Sequence, residues 1–168
     1  MNTEKVRIVV ITGGTGGIGF QSAIGIAKTG ARVIITGRNR ERGETAVRQI
    51  IEETGNDSVE LVVGMVSTIA GIDDLARELL GRVEYIDVLV NNAGYLGSEL
   101  KYNDDGLEMH FAVNVLSPWR LTWQLLPALK AAKNTRVFNI TGGDKPAAID
   151  PDNLQAENGF KGLMTYAH

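Results

Sequence analysis

Thr12-Gly13-Gly14-Thr15-Gly16-Gly17-Ile18-Gly19 places five glycines directly after the apolar run Val6 to Thr12. That run is short and rich in β-branched residues, so it reads as a strand buried on both faces, the kind that parallel sheets contain. The residues after the loop open a helix. A glycine-rich turn from strand to helix gives a tight bend, a bare backbone and a helix N-terminus that favours anions, as the pyrophosphate of a dinucleotide requires. Gly14, Gly16 and Gly19 fit G-x-G-x-x-G, while Gly13, Gly17 and Gly19 fit G-x-x-x-G-x-G. So many glycines cost folding entropy and return no packing, which weighs against a connection without a ligand.

Working outward, Ala31 to Thr36, Val59 to Val63, Ile86 to Asn91 and Arg136 to Thr141 repeat the strand signal, and helical stretches follow the first four strands. After the third strand, Ile72, Leu75, Ala76, Leu79, Leu80 and Val83 form one apolar stripe, with Asp73 and Asp74 expected near the helix N-terminus. Val47, Ile50 and Ile51 stripe the preceding helix, which Thr54-Gly55-Asn56 ends with a left-handed cap. A long helix is expected over 106–131, with Leu107, Phe111, Asn114, Pro118, Leu121 and Leu125 on one face. From Gly142 onward the periodicity fades into a loop. The order of elements predicts an α/β fold: one Rossmann-type doubly wound parallel sheet over residues 1–168, strand order 3-2-1-4-5, with the ligand at the carboxyl ends of strands one and four.

Composition narrows the function classes. The 168 residues, 43% hydrophobic and 22% charged, suit one soluble domain. A net charge of -3 without a basic run gives no footprint for nucleic acid or an anionic membrane surface. No cysteine and only two histidines leave no ligand set for a metal. With no apolar run of spanning length and no signal-like start, the cytoplasm is the expected location.

Past the second strand, where an NAD site places a carboxylate for the ribose 2′-hydroxyl, the sequence reads Thr36-Gly37-Arg38. A guanidinium matches a 2′-phosphate and a carboxylate would repel it, so Arg38 favours NADP over NAD.

These motifs resemble the short-chain dehydrogenase/reductase family, in its retinol dehydrogenase-like branch. The loop matches that family's T-G-x-x-x-G-I-G, and Asn91-Asn92-Ala93-Gly94 matches its N-N-A-G. The resemblance implies cofactor contacts from Gly13, Thr15, Gly16, Gly17, Ile18, Gly19, Arg38, Asn92, Ala93 and Gly94. Asp105-Gly106-Leu107-Glu108 through Phe111, Asn114, Pro118 and Leu121 is similar to the helix carrying the family's catalytic asparagine, here Asn114. From the residues alone, Asn114 is an amide expected on an inward face, where it needs partners, and Pro118 removes the helical bond to its carbonyl. The family's serine aligns with Gly142, and Thr141 supplies a hydroxyl only with a register shift of one. Met65 stands where many members carry an aspartate for the adenine. Tyr166-Ala167-His168 is similar to the start of Y-x-x-x-K, whose lysine position lies past residue 168.

The resemblance thus implies an NADP(H)-dependent oxidoreductase acting on a carbonyl or alcohol, with Tyr166 as acid/base, Asn114 in the proton relay and Thr141 beside the substrate oxygen. The chain corresponds to about two thirds of a family domain of roughly 250 residues. The C-terminal strands are therefore expected to be missing, the fifth strand to be an apolar edge, and an extended chain to form a homo-oligomer. A noncatalytic dinucleotide-binding or interaction module on the same fold is the alternative. An epimerase on this fold fits N-N-A-G less well, and a P-loop enzyme would need a lysine after the glycine loop.

Overall fold

The computed structural model describes residues 6–142 and 150–160. Five strands, β1 (Ile8–Ile11), β2 (Arg32–Gly37), β3 (Val59–Val63), β4 (Val88–Asn91) and β5 (Arg136–Asn139), form one parallel sheet of order β3-β2-β1-β4-β5. This is the doubly wound order expected from the sequence; β3 has the expected bounds, β2 is shifted by one residue, and β1, β4 and β5 are shorter than their apolar runs.

The alternation of side chains explains why the central strands look apolar throughout. Val9, Ile11, Val33 and Ile35 point to one face, where they pack on Ala23, Ile24 and Ala27 of α1 (Gly17–Ala27) and Ala46 and Ile50 of α2 (Arg40–Thr54). Val10, Ile34 and Val62 point to the other, against Leu75 and Leu79 of α3 (Ile69–Leu80), Leu121 of α4 (Ser117–Gln124) and Leu129 of α5 (Leu126–Ala131). Each fully buried aliphatic side chain contributes about 1.5–3 kcal/mol. Gly55, at φ 68°, closes α2 in the left-handed conformation.

Two expectations need correction. Thr68 caps α3, accepting from the Gly71 N–H at 3.2 Å, so Asp73 lies in the second turn rather than at the helix end. There it accepts both arms of Arg120 at 2.7 and 2.8 Å and the Gln124 amide at 2.9 Å, pinning α3 to α4. The hydrogen bonds from Arg120 hold the Asp73 carboxyl below its ordinary range despite some burial. The N-terminus of α3 instead receives Asp105, whose Oδ2 accepts from the Ile69 N–H at 2.8 Å.

The helix expected over 106–131 begins only at Met109 and is not uniform. Residues before it make a turn in which Asn103 Oδ1 accepts from the Asp105 and Leu107 N–H groups, closed by an antiparallel bridge between Tyr102 and Glu108. Phe111–Leu116 is a π-helical turn, continued by the Ser117 N–H bonding to the Ala112 carbonyl, five residues back. Leu125 then separates α4 from α5. No described helix is long and apolar enough to cross a membrane.

Candidate functional site

The glycine loop and N-N-A-G are one hydrogen-bonded unit. Thr12, buried at the end of β1, accepts at Oγ1 from the Asn92 and Ala93 N–H groups, both at 3.0 Å. The Asn92 amide in turn donates to the carbonyls of Thr12 and Gly13 at 3.0 and 3.2 Å. Adjacent parallel strands thus deliver two distant motifs to one place.

This packing requires bare backbone at glycines of both patterns. Gly13 has φ 66°, and a Cβ there would lie 2.9 Å from the Ala93 Cα. A Cβ on Gly19 would lie 2.3 Å from Asn92 Nδ2 and 2.6 Å from the Gly13 carbonyl oxygen. A Cβ on Gly14 would lie 2.7 Å from the Ile35 Cβ, and Gly17, at φ 54°, is held by its backbone conformation alone. Gly19 lies beneath the loop and supports it without lining the cavity.

Above this unit is a cavity of about 480 Å³ at the carboxyl ends of the strands. Gly13, Thr15, Gly16, Gly17 and Ile18 line one side, Arg38 the end of β2, and Asn92, Ala93 and Gly94 the end of β4. Met65, Val66, Met109 and Val113 add an apolar wall. The first turn of α1 contains no acidic residue, and its cap residue, Gly16, offers no side-chain hydrogen bond. A helix end of that kind, over a backbone that side chains would obstruct, fits a dinucleotide pyrophosphate. Among the described residues no group of three or more potential ligands is placed to hold a metal ion.

Arg42, which no sequence motif marks, lies against the loop. Its Nε donates to the Thr15 carbonyl at 3.3 Å, and a Cβ on Gly16 would lie 2.3 Å from its guanidinium. A second cation thus stands against the glycine loop that lines the cavity. The signal was only its place on the first turn of α2, indistinguishable in sequence from a solvated charge.

Asn114 departs from its expected position. The π turn shifts the helical register, so Ala112, Val113, Ser117 and Leu121 face inward and Asn114 is exposed. It is still fully engaged: its Oδ1 accepts from the Tyr95 N–H at 2.8 Å, and its Nδ2 donates to the Tyr95 carbonyl at 2.9 Å. Asn114 and Thr141 line a second groove of about 430 Å³, with Asn139, Thr122 and the exposed Trp119 and Trp123. Tyr95 belongs to the first cavity, so the Asn114–Tyr95 pair joins the two. Around Gly142 a Cβ would meet open space. Tyr166 lies outside the described residues.

Comparison with known proteins accords with this geometry. Residues 7–146 match the family model described as short chain dehydrogenase. Retinol dehydrogenase 11 of Mus musculus is 32% identical over 163 residues, covering 96% of this chain and 52% of that protein. Dehydrogenase/reductase SDR family member 12 of Homo sapiens is 34% identical, covering 96% and 51%. The chain thus spans about half the length of these curated relatives. Among solved structures, the RhlG/NADP active-site complex of Pseudomonas aeruginosa aligns with a TM-score of 0.70 at 35% identity, covering 82% of this chain and 54% of that one. A short-chain dehydrogenase of Shigella flexneri complexed with NADP aligns with a TM-score of 0.67 at 29% identity, covering 78% and 56%.

Proposed function

Since the chain belongs to the short-chain dehydrogenase family, in its retinol dehydrogenase-like branch, we propose that it supplies the dinucleotide site of an NADP(H)-dependent oxidoreductase acting on a small carbonyl or alcohol. The observation that carries this reading is the single unit formed by Thr12, the glycine loop and Asn92-Ala93-Gly94 under one cavity. The NADP held by two of its structural neighbours supports the choice of ligand.

In this reading the open N-terminus of α1 receives the pyrophosphate and the bare backbone of Gly13, Gly16 and Gly17 lets it approach. Arg38 binds the 2′-phosphate through charge-assisted hydrogen bonds, and Arg42 adds positive charge at the loop. Bound NADP(H) supplies the hydride donor or acceptor. Asn114, held by Tyr95, orders the proton relay, Thr141 faces the substrate oxygen across the shared groove, and Tyr166 exchanges the proton with it. An unperturbed phenol, with pKa about 10, needs neighbouring positive charge for that task. A second reading, a binding module without turnover, is favoured by Gly142, which offers no hydroxyl where the family's serine aligns.

Calorimetric titration of the full-length protein tests both. NADPH is expected to bind about tenfold or more tightly than NADH, with Arg38→Ala removing most of the difference. Equal affinities would contradict the NADP assignment, and no affinity for either would contradict the dinucleotide site. NADPH binding without oxidation across a panel of aldehydes and ketones would favour the second reading.

A further inference from the structure

Glu108 and His110 are both fully buried, yet the chemistry proposed above uses neither. Desolvating a carboxylate costs several kcal/mol unless its oxygens are well partnered. Here Glu108 Oε2 accepts from the Phe111 N–H at 2.8 Å, at the start of the helix, and Oε1 lies 2.7 Å from His110 Nδ1. On the far side of the ring, Nε2 lies 3.0 Å from the Gly97 nitrogen. A backbone N–H can only donate, so Nε2 carries the lone pair and Nδ1 carries the proton toward Glu108.

The rest of the loop after β4 closes around this pair. The Tyr95 ring stands edge-on to the imidazole with centroids 4.8 Å apart, and a Cβ on Gly97 would lie 2.4 Å from the Tyr95 hydroxyl. The Tyr95 backbone makes the two bonds to the Asn114 amide. A continuous set of contacts therefore runs from Glu108 through His110 to Gly97 and Tyr95, and from Tyr95 to Asn114.

We infer that Glu108 and His110 are a positioning pair that clamps residues 95–97 onto the helix start and thereby fixes Tyr95 and Asn114 beside the nicotinamide end of the site. This rests on the dinucleotide reading above. A carboxylate is required because both its oxygens face N–H donors, whereas glutamine offers one acceptor and one donor. In Glu108→Gln either the Phe111 N–H loses its acceptor or the imidazole takes its other tautomer, turning Nε2–H against the Gly97 N–H. Glutamine at position 110 retains an acceptor for Gly97 and a donor for Glu108; leucine retains neither.

The test uses the full-length protein and its E108Q, H110L and H110Q variants. Nitrogen-15 NMR of the imidazole is expected to show the Nδ1-protonated tautomer in the unmodified protein. Amide exchange at Gly97 should be about tenfold faster in E108Q and H110L, and NADPH affinity about tenfold lower. Binding of adenosine 2′,5′-bisphosphate, which lacks the nicotinamide half, should be unchanged within about twofold, and H110Q should stay near the unmodified protein in all respects. An Nε2-protonated ring, or equal losses for NADPH and the bisphosphate, would overturn the positioning role while leaving the dinucleotide site standing. An unmodified protein that binds neither ligand would overturn both.

Discussion

β1 and β5 belong to one parallel sheet, but every residue of Ile8–Ile11 is buried while every residue of Arg136–Asn139 is exposed. Their sequences, IVVI and RVFN, differ in the Arg136 and Asn139 that end β5, and their surroundings differ as well. β1 has a strand on each side and helices over both faces; among the described residues β5 pairs with β4 alone, and its Val137 and Phe138 are exposed. Beside it, Trp119 and Trp123 are also exposed, so among the described residues the sheet around β1 is a closed core and the β5 side presents exposed apolar side chains. A strand's burial is set by what covers it, and its own pattern reports only what it can tolerate.

Substitutions on the two sides should separate them sharply. Ile35→Ala removes a fully buried side chain between α1, α2 and the sheet, and should cost about 2–5 kcal/mol by denaturant unfolding. Phe138→Ser, on the open strand, should stay within about 0.5 kcal/mol in the same measurement. Comparable losses from both would mean that β5 is covered in solution.

Gly19→Ala sharpens the comparison at the loop. Its Cβ must displace Asn92 or the Gly13 carbonyl, so a cost of about 1–3 kcal/mol is expected, together with loss of measurable dinucleotide binding. Normal binding by this variant would show that the two motifs are not one rigid unit.

A smaller effect concerns the Asp73–Arg120 pair, which ties α3 to the helix beside the open face. Because its folded-state pKa is depressed, Asp73 contributes stability that is fully present above the unfolded carboxylate value of about 3.9 and is lost as pH falls through the depressed one. Asp73→Asn should therefore cost about 1–2 kcal/mol at neutral pH and flatten the acid limb of the stability profile. An unchanged acid limb would remove the pair from the account.

The fold was legible because each strand and its helix repeat one signal, and the glycine loop sits where that signal changes period. The helix near Asn114 was misread because a 3.6-residue period was carried through Phe111–Leu116, where a π turn adds a residue; Pro118, which lacks an N–H, was the only local hint. The joining role of Thr12 is not legible in the sequence because the two motifs it links lie about eighty residues apart. Nothing in the sequence pairs Glu108 with His110, because their partnership depends on the loop from β4 that closes over them.

Hydrogen–deuterium exchange of the full-length protein with and without NADPH tests the central claim most directly. Protection is expected to concentrate in residues 12–19, 36–38 and 91–95, the segments gathered around the cavity, with little change over 136–140. Unchanged exchange across the glycine loop, or protection confined to β5 and the groove beside it, would contradict the account.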